Sequence, residues 1–152
     1  MKKLRLLFIS AGNSCRSQMA EGWTRHLLSD RFAVSSAGLV SLGVNPLAIR
    51  VMAEAGVDIS QQQSSILDEV PIQEYDLIVT LCGHHDENCH LVTGRSARLH
   101  FGFDDPEKLA TDTGTDEEAL QHYRRVRDEI HDFITDLPAF FRLGQNSAPD
   151  CA

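Results

Sequence analysis

The residues Ser10-Ala11-Gly12-Asn13-Ser14-Cys15-Arg16-Ser17 form a stretch of small side chains that ends on a cation. Small residues let successive backbone N–H groups turn inward, and a helix beginning there adds roughly half a positive charge. An arginine at the end offers a two-pronged donor to a tetrahedral oxyanion. The Walker type of phosphate loop is excluded, because the Gly-Lys-Ser/Thr ending is missing. Without context the same stretch reads as a polar strand-to-helix turn with an exposed arginine. A second concentration of reactive groups spans residues 82–90, with thiols at Cys82 and Cys89, imidazoles at His84, His85 and His90, and carboxylates at Asp86 and Glu87. Three chemistries fit it: inert buried cysteines near surface histidines, zinc ligation, or a thiol–disulfide pair. No metal site is expected, since paired zinc cysteines have two to four residues between them and a second half-site elsewhere. Asp104-Asp105-Pro106 places a carboxyl directly before a proline that stiffens its loop. Alone, it is a turn.

These segments need a frame that brings them together. Residues 4–9 are an apolar run short enough for a buried parallel strand. A helical pattern follows the loop, with Ala20, Trp23 and Leu27 on one face and Glu21, Arg25 and Asp30 facing outward. Residues 32–37 read as a short second strand ended by Gly38. A second helix is marked by Asn45 as cap, Pro46 at the first turn and Gly56 past the end. Residues 75–81 are a third strand and residues 98–101 a weaker fourth. Thr115 and Glu118 make a capping box before an apolar stripe of Ala119, Tyr123, Val126, Ile130, Phe133 and Leu137, which Pro138 should close. Strands alternating with helices imply an α/β fold: a three-layer sandwich with a four-stranded parallel sheet flanked by helices. In such sheets ligands bind beyond the carboxyl ends of the strands, so the loops after strands one, three and four should share one rim.

At 152 residues, 42% hydrophobic and 24% charged, the chain fits one domain with a single core, residues 1–142, followed by a flexible polar tail, residues 143–152. Its net charge of −8 argues against nucleic acid or an anionic membrane as partner, and any anion site must overcome that field locally. No apolar run approaches the ~18 residues of a membrane span. The N-terminal apolar run is too short for a secretory signal, so a cytoplasmic location is expected. Four cysteines are too few for a disulfide scaffold.

Spacing adds a resemblance. A nucleophile position, five residues and an arginine, bridging strand to helix, is similar to the phosphate loop of low-molecular-weight protein tyrosine phosphatases. The longer run from Phe8 to Gly22, FISAGNSCRSQMAEG, resembles thioredoxin-coupled arsenate reductases, which share that fold. The likeness extends to Cys82, Cys89 and Asp104-Asp105-Pro106 and covers the chain to about Leu137. It implies a catalytic set of position 10, Arg16, Cys82, Cys89 and Asp105. Arg16 would clamp the oxyanion amid the amides of Ala11, Gly12, Asn13, Ser14, Cys15 and Ser17, and Asp105 would protonate the departing oxygen. Arsenate would be the substrate, phosphate or sulfate analogues of it, and thioredoxin the reductant. A monomer is expected, and no organic cofactor is required. If Cys82 and Cys89 lie about two turns apart on a helix, ~10 Å separates them, beyond the reach of a disulfide. Pairing them would then require that helix to unwind.

One position departs from the pattern. The family's attacking cysteine is Ser10 here. A thiol beside arginine at a helix N-terminus ionises near neutral pH. An alcohol does not, and no histidine or carboxylate in the loop can serve as its base. The chain should therefore bind an oxyanion without completing the reaction, either as an engineered Cys-to-Ser form, which the intact remaining machinery favours, or as a natural binding-only descendant. A phosphatase, or a non-catalytic oxyanion- or metal-binding protein, is the alternative. Ser17 can bond the atom at position 10 or cap the helix. Asn13 can supply a left-handed backbone or side-chain bonds. Glu21 and Ser36 match positions that hold a monovalent cation in some relatives, but Gln63 and Ser65 are poorer ligands than those relatives offer, so no ion is expected. Cys15 is read as packing and Cys151 as incidental.

Overall fold

The apolar run near the N-terminus becomes β1 (Leu4–Ser10), whose alternate side chains enter different cores. Leu6 and Phe8 join the larger cluster, while Leu7 and Ile9 join the smaller one on the opposite face. A strand buried on both faces needs an unbroken apolar sequence, which explains the absence of polar alternation. The computed structural model describes residues 2–83 and 97–147. Within them β2 (Phe32–Gly38), β3 (Leu77–Thr80) and β4 (Ala97–His100) complete a parallel sheet in the order β2-β1-β3-β4.

Register fixes where chemistry can occur. Ser10 lies opposite Gly38, Ile9 opposite Thr80, and Thr80 opposite His100. The strands therefore end at one level, and the segments after β1, β3 and β4 emerge along a common rim. On one face, α1 (Arg16–Leu27), α2 (Pro46–Glu54) and α4 (Asp116–Ser147) pack around Leu6, Phe8, Leu77 and Val79. On the other, the described cover is the stretch carrying Leu67, Val70 and Ile72, which includes two short 3₁₀ turns. The expected α/β architecture, a four-stranded parallel sheet flanked by helices, is what forms. Among the described residues no helix is long and apolar enough to cross a membrane.

Local signals act as chemistry dictates. The Asn45 side chain accepts from the N–H groups of Leu47 and Ala48, Pro46 takes the first helical position, and Gly56 follows α2 with φ +86°. Thr115 Oγ1 accepts from Glu118 N, and the Glu118 carboxylate reaches back to Gly114 N.

Three expectations need correction. Glu21 does not face outward but is 5% exposed, whereas Leu27, expected on the buried face, is 39% exposed. The reason is that residues 16–24 of α1 are buried all round beneath the rim, and only the last turn reaches solvent. Pro138 does not close α4, which continues to Ser147 and carries the helix past the expected 142/143 boundary. A proline inside a helix costs ~3 kcal/mol. Packing beyond it offsets this, since Phe140 lies 5.8 Å from the Phe133 ring and 5.6 Å from Phe101. Strands three and four are also shifted by a residue or two from their expected bounds. Residues 148–152, including Cys151, lie outside the described residues.

Candidate active site

Asn13 sets the shape of the loop between β1 and α1. It adopts φ +49°, a left-handed conformation that asparagine tolerates better than most residues. Its side chain accepts from Ser65 N at 2.8 Å and donates to Ser36 Oγ at 2.9 Å and Ser17 Oγ at 2.7 Å. Ser36 in turn donates to Glu21 Oε1 at 2.9 Å, and Glu21 Oε2 accepts from Arg25 at 2.6 Å. Both Asn13 alternatives, backbone and side chain, are thus realised together. Ser17 Oγ, which already accepts from Asn13, lies 2.6 Å from Ser10 Oγ and shares one hydrogen bond with it, for which either hydroxyl can be the donor. Ser17 accordingly serves position 10 rather than capping α1, whose cap position is Cys15 with no side-chain bond. A buried carboxylate, through Ser36, Asn13 and Ser17, fixes the atom at position 10.

The outer side of the loop is held by a strap that sequence reading missed. Val40 N donates to Ala11 O at 3.1 Å, Leu42 N to Gly12 O at 3.0 Å, and Asn45 N to Ser14 O at 3.0 Å. In a trans peptide the N–H opposes the C=O, so these peptides turn their N–H ends away from the strap, toward the loop interior. Gly38 makes this contact possible. A Cβ there would lie 2.4 Å from Val40 O and 2.6 Å from Asn13 N. These are backbone atoms that cannot rotate away. Gly38→Ala should cost ~1–3 kcal/mol in urea unfolding and weaken phosphate binding at the same time.

Arg16 is only 4% exposed; its Nη1 donates to Phe103 O at 3.3 Å and its Nη2 sits 3.6 Å from Asp105 Oδ2. Asp105 caps α3 (Pro106–Ala110), its Oδ1 accepting from Glu107 N at 3.0 Å. One carboxylate oxygen is therefore fixed by the backbone while the other faces the guanidinium. A cavity of about 100 Å³ is enclosed by Ser10, Ala11, Gly12, Ser14, Cys15 and Arg16, with Val40, Leu42, Asp105 and Glu107 opposite. Asn13 and Ser17 stand behind it. A larger cleft of about 660 Å³ lies beside Glu21, Arg25 and Gln63, but no thiol lines it, and its arginine and carboxylate, Arg25 and Glu21, are bonded to each other at 2.6 Å. Size does not decide here. The chemistry belongs to the smaller cavity.

Glu107 is the second group missed. Its Oε1 accepts from Ser14 Oγ at 2.7 Å, Asn45 Nδ2 at 2.9 Å and Cys15 Sγ at 3.2 Å. Burial works against its charge, yet these hydrogen bonds outweigh it and hold the carboxyl below its ordinary range. No signal in the sequence marked it, because the contacts depend on how α3 turns back toward the loop.

Cys82 lies two residues beyond β3, fully buried, and it is disulfide-bonded. Cys15 is a free buried thiol, so the partner lies outside the described residues. The segment after β4 rests on Cys82: Phe103 N donates to Leu81 O at 3.1 Å, and a Cβ on Gly102 would come within 2.9 Å of Cys82 O. Cys89, His84, His85, Asp86, Glu87 and His90, and with them the part of the expected short helix beyond Gly83, lie outside the described residues. Among the described residues no cluster of three metal-ligating side chains occurs.

The chain is similar to known proteins over most of its length. Residues 5–146 match the family described as low molecular weight phosphotyrosine protein phosphatase. An arsenate reductase from Halalkalibacterium halodurans is 50% identical over 130 residues, 86% of this chain and 91% of its own length. One from Bacillus subtilis is 46% identical over 130 residues, again 86% of this chain and 91% of its own length. Among solved structures, an arsenate reductase in the phosphate binding state superposes with a TM-score of 0.71 at 33% identity, covering 90% of this chain and 97% of that one. Matched length and identity together place the chain in the low molecular weight phosphotyrosine protein phosphatase family, among its arsenate reductase homologues.

Proposed function

We propose that this chain is an arsenate reductase, built for a thiol cascade through position 10, Cys82 and Cys89 with thioredoxin as reductant, and that Ser10 leaves it able to bind an oxyanion but unable to turn over. The observation that carries the reading is the convergence of Ser10, Arg16 and Asp105 on one small cavity, with a disulfide-bonded Cys82 at the end of the neighbouring strand.

With a cysteine at position 10 the steps follow. The thiolate, receiving the Ser17 hydrogen bond, attacks arsenic while Arg16 neutralises the equatorial oxygens. Asp105 gives a proton to the departing oxygen, which leaves as water. Cys82 then attacks the sulfur at position 10, a disulfide forms, and the two electrons pass to arsenic, which leaves as arsenite. Cys89 attacks Cys82, frees the thiol at position 10 and closes a Cys82–Cys89 disulfide. A dithiol such as thioredoxin reduces that bond. With Ser10 the first bond does not form, because an alcohol in this loop lacks a base. Ser10 is a replacement of the family's cysteine, and the chain works as a monomer in the cytoplasm.

The test is arsenate-dependent oxidation of thioredoxin by the Ser10→Cys form. In that form Asp105→Asn should lower turnover ~10²–10⁴-fold while sulfate still binds, because only proton delivery is lost. Undiminished turnover would remove Asp105 as the acid. Hydrolysis of aryl phosphates without thioredoxin oxidation would instead favour a phosphatase, the reading supported by the family match alone.

A further inference from the structure

Cys15 stands where elementary electrostatics would make a thiol reactive, at the cap position of α1 and next to Arg16 in sequence. A second thiolate five residues from position 10 would compete with it for any electrophile in the cavity. Its surroundings oppose that. The sulfur is 3.2 Å from Glu107 Oε1, the residue is 3% exposed, and the Arg16 guanidinium bonds Phe103 O and lies 3.6 Å from Asp105.

We propose that Glu107 is a positioning residue that holds Cys15 as a protonated thiol and pins Ser14 and Asn45 through the same oxygen, so that the loop offers one nucleophilic position, residue 10. Every packed element contributes to this environment. The segment leading into α3 supplies Asp105, α3 supplies Glu107, α4 supplies the Tyr123 phenol, and α2 presents the neutral Asn45. Burial pushes the Cys15 thiol up, and the Glu107 charge and hydrogen bond push it further. Burial also raises the Tyr123 phenol, with the Glu107 charge adding to it. Removing the S–H proton would set a thiolate against a carboxylate that is itself fixed by Ser14 and Asn45. The role is independent of which oxyanion the loop takes, and so can fail without affecting the assignment of function.

The chain as it stands is suited to the test, because an alcohol at position 10 leaves Cys15 as the only thiol of the loop. The folded protein is alkylated with iodoacetamide across a pH series, and label on the Cys15 peptide is followed by mass spectrometry. Glu107→Gln keeps volume and an acceptor oxygen but removes the charge. It should label at least ~10-fold faster near neutral pH, with the midpoint of the profile moved to lower pH as the thiolate population rises. Glu107→Asp, which retains the charge, should keep the original midpoint. An unchanged rate and midpoint in folded Glu107→Gln would show that burial alone silences Cys15 and overturn the proposal. Faster labelling in both variants at an unshifted midpoint would mean loosened packing, and would overturn it as well. The protonation of Cys15 that the proposal requires is also read directly in the unaltered chain. A Raman S–H band that vanishes in Cys15→Ala should persist through mildly alkaline pH, and its loss near neutrality would overturn the assignment.

Discussion

Ser10→Cys should convert a silent protein into one that oxidises thioredoxin when arsenate is supplied, with a gain on the order of 10⁴-fold or more. The size follows from the attacking atom. An alcohol stays protonated at neutral pH, whereas a thiol at a helix N-terminus beside an arginine can ionise at a pKa of ~3.5–7.5. Nothing else must be rebuilt: Ser17 Oγ is already 2.6 Å from the Ser10 oxygen, Arg16 is in place and Asp105 is held at the same cavity. Sulfur is larger than oxygen, so the contact to Ser17 should lengthen by a few tenths of an ångström, which one rotatable hydroxyl accommodates. On the new background Cys82→Ser should abolish turnover, since no disulfide can form to carry electrons into arsenic. Cys89→Ser should stop the cascade one step later, after a single conversion. An inert Ser10→Cys protein that still binds sulfate would leave a binding protein, and the thiol cascade would have to be abandoned.

The sequence disclosed those features whose cause is local. β1 had to be central because an unbroken apolar run tolerates no solvent-facing side, and Leu6, Leu7, Phe8 and Ile9 divide between two cores as that requires. Asn45, Pro46 and Gly56 delimit α2 by capping chemistry within a few residues. Asn13 was legible because few other residues tolerate a left-handed turn between a strand and a helix. What escaped depends on contacts made across the fold. Glu21 looked like a surface carboxylate by helical period, yet Ser36 from β2 and Arg25 one turn on surround it. Glu107 lies over ninety residues from Ser14, and only the path of α3 brings them together. Pro138 obeyed its own propensity in the reading and lost to the aromatic packing of Phe140. Periodicity reports which face of an element is apolar. It is blind to which buried polar groups will find partners.

Arg16→Ala should lower affinity for phosphate or sulfate by ~30- to 10³-fold in calorimetric titration, the range for truncating one partner of a desolvated charged pair. The global charge of −8 repels an anion, so binding must come from this local cation and the amides of the loop. At 4% exposure the guanidinium is poorly screened, and the alanine form keeps the amides but loses the two-pronged donor. Arg16→Lys separates charge from geometry. It should recover part of the affinity, because an ammonium supplies a point charge without the fork. Stability should move much less than binding. Phe103 O loses one donor and Asp105 loses its nearby counter-charge, which together cost about 1–2 kcal/mol, while the core under α1 is untouched. A cooperative unfolding transition with nearly normal far-UV circular dichroism, beside collapsed anion affinity, would assign Arg16 to the ligand rather than to the fold. Affinity within a factor of about three of the original would mean that loop amides alone hold the anion, a weak interaction in a field this negative, and the oxyanion site would need to be sought elsewhere on the rim.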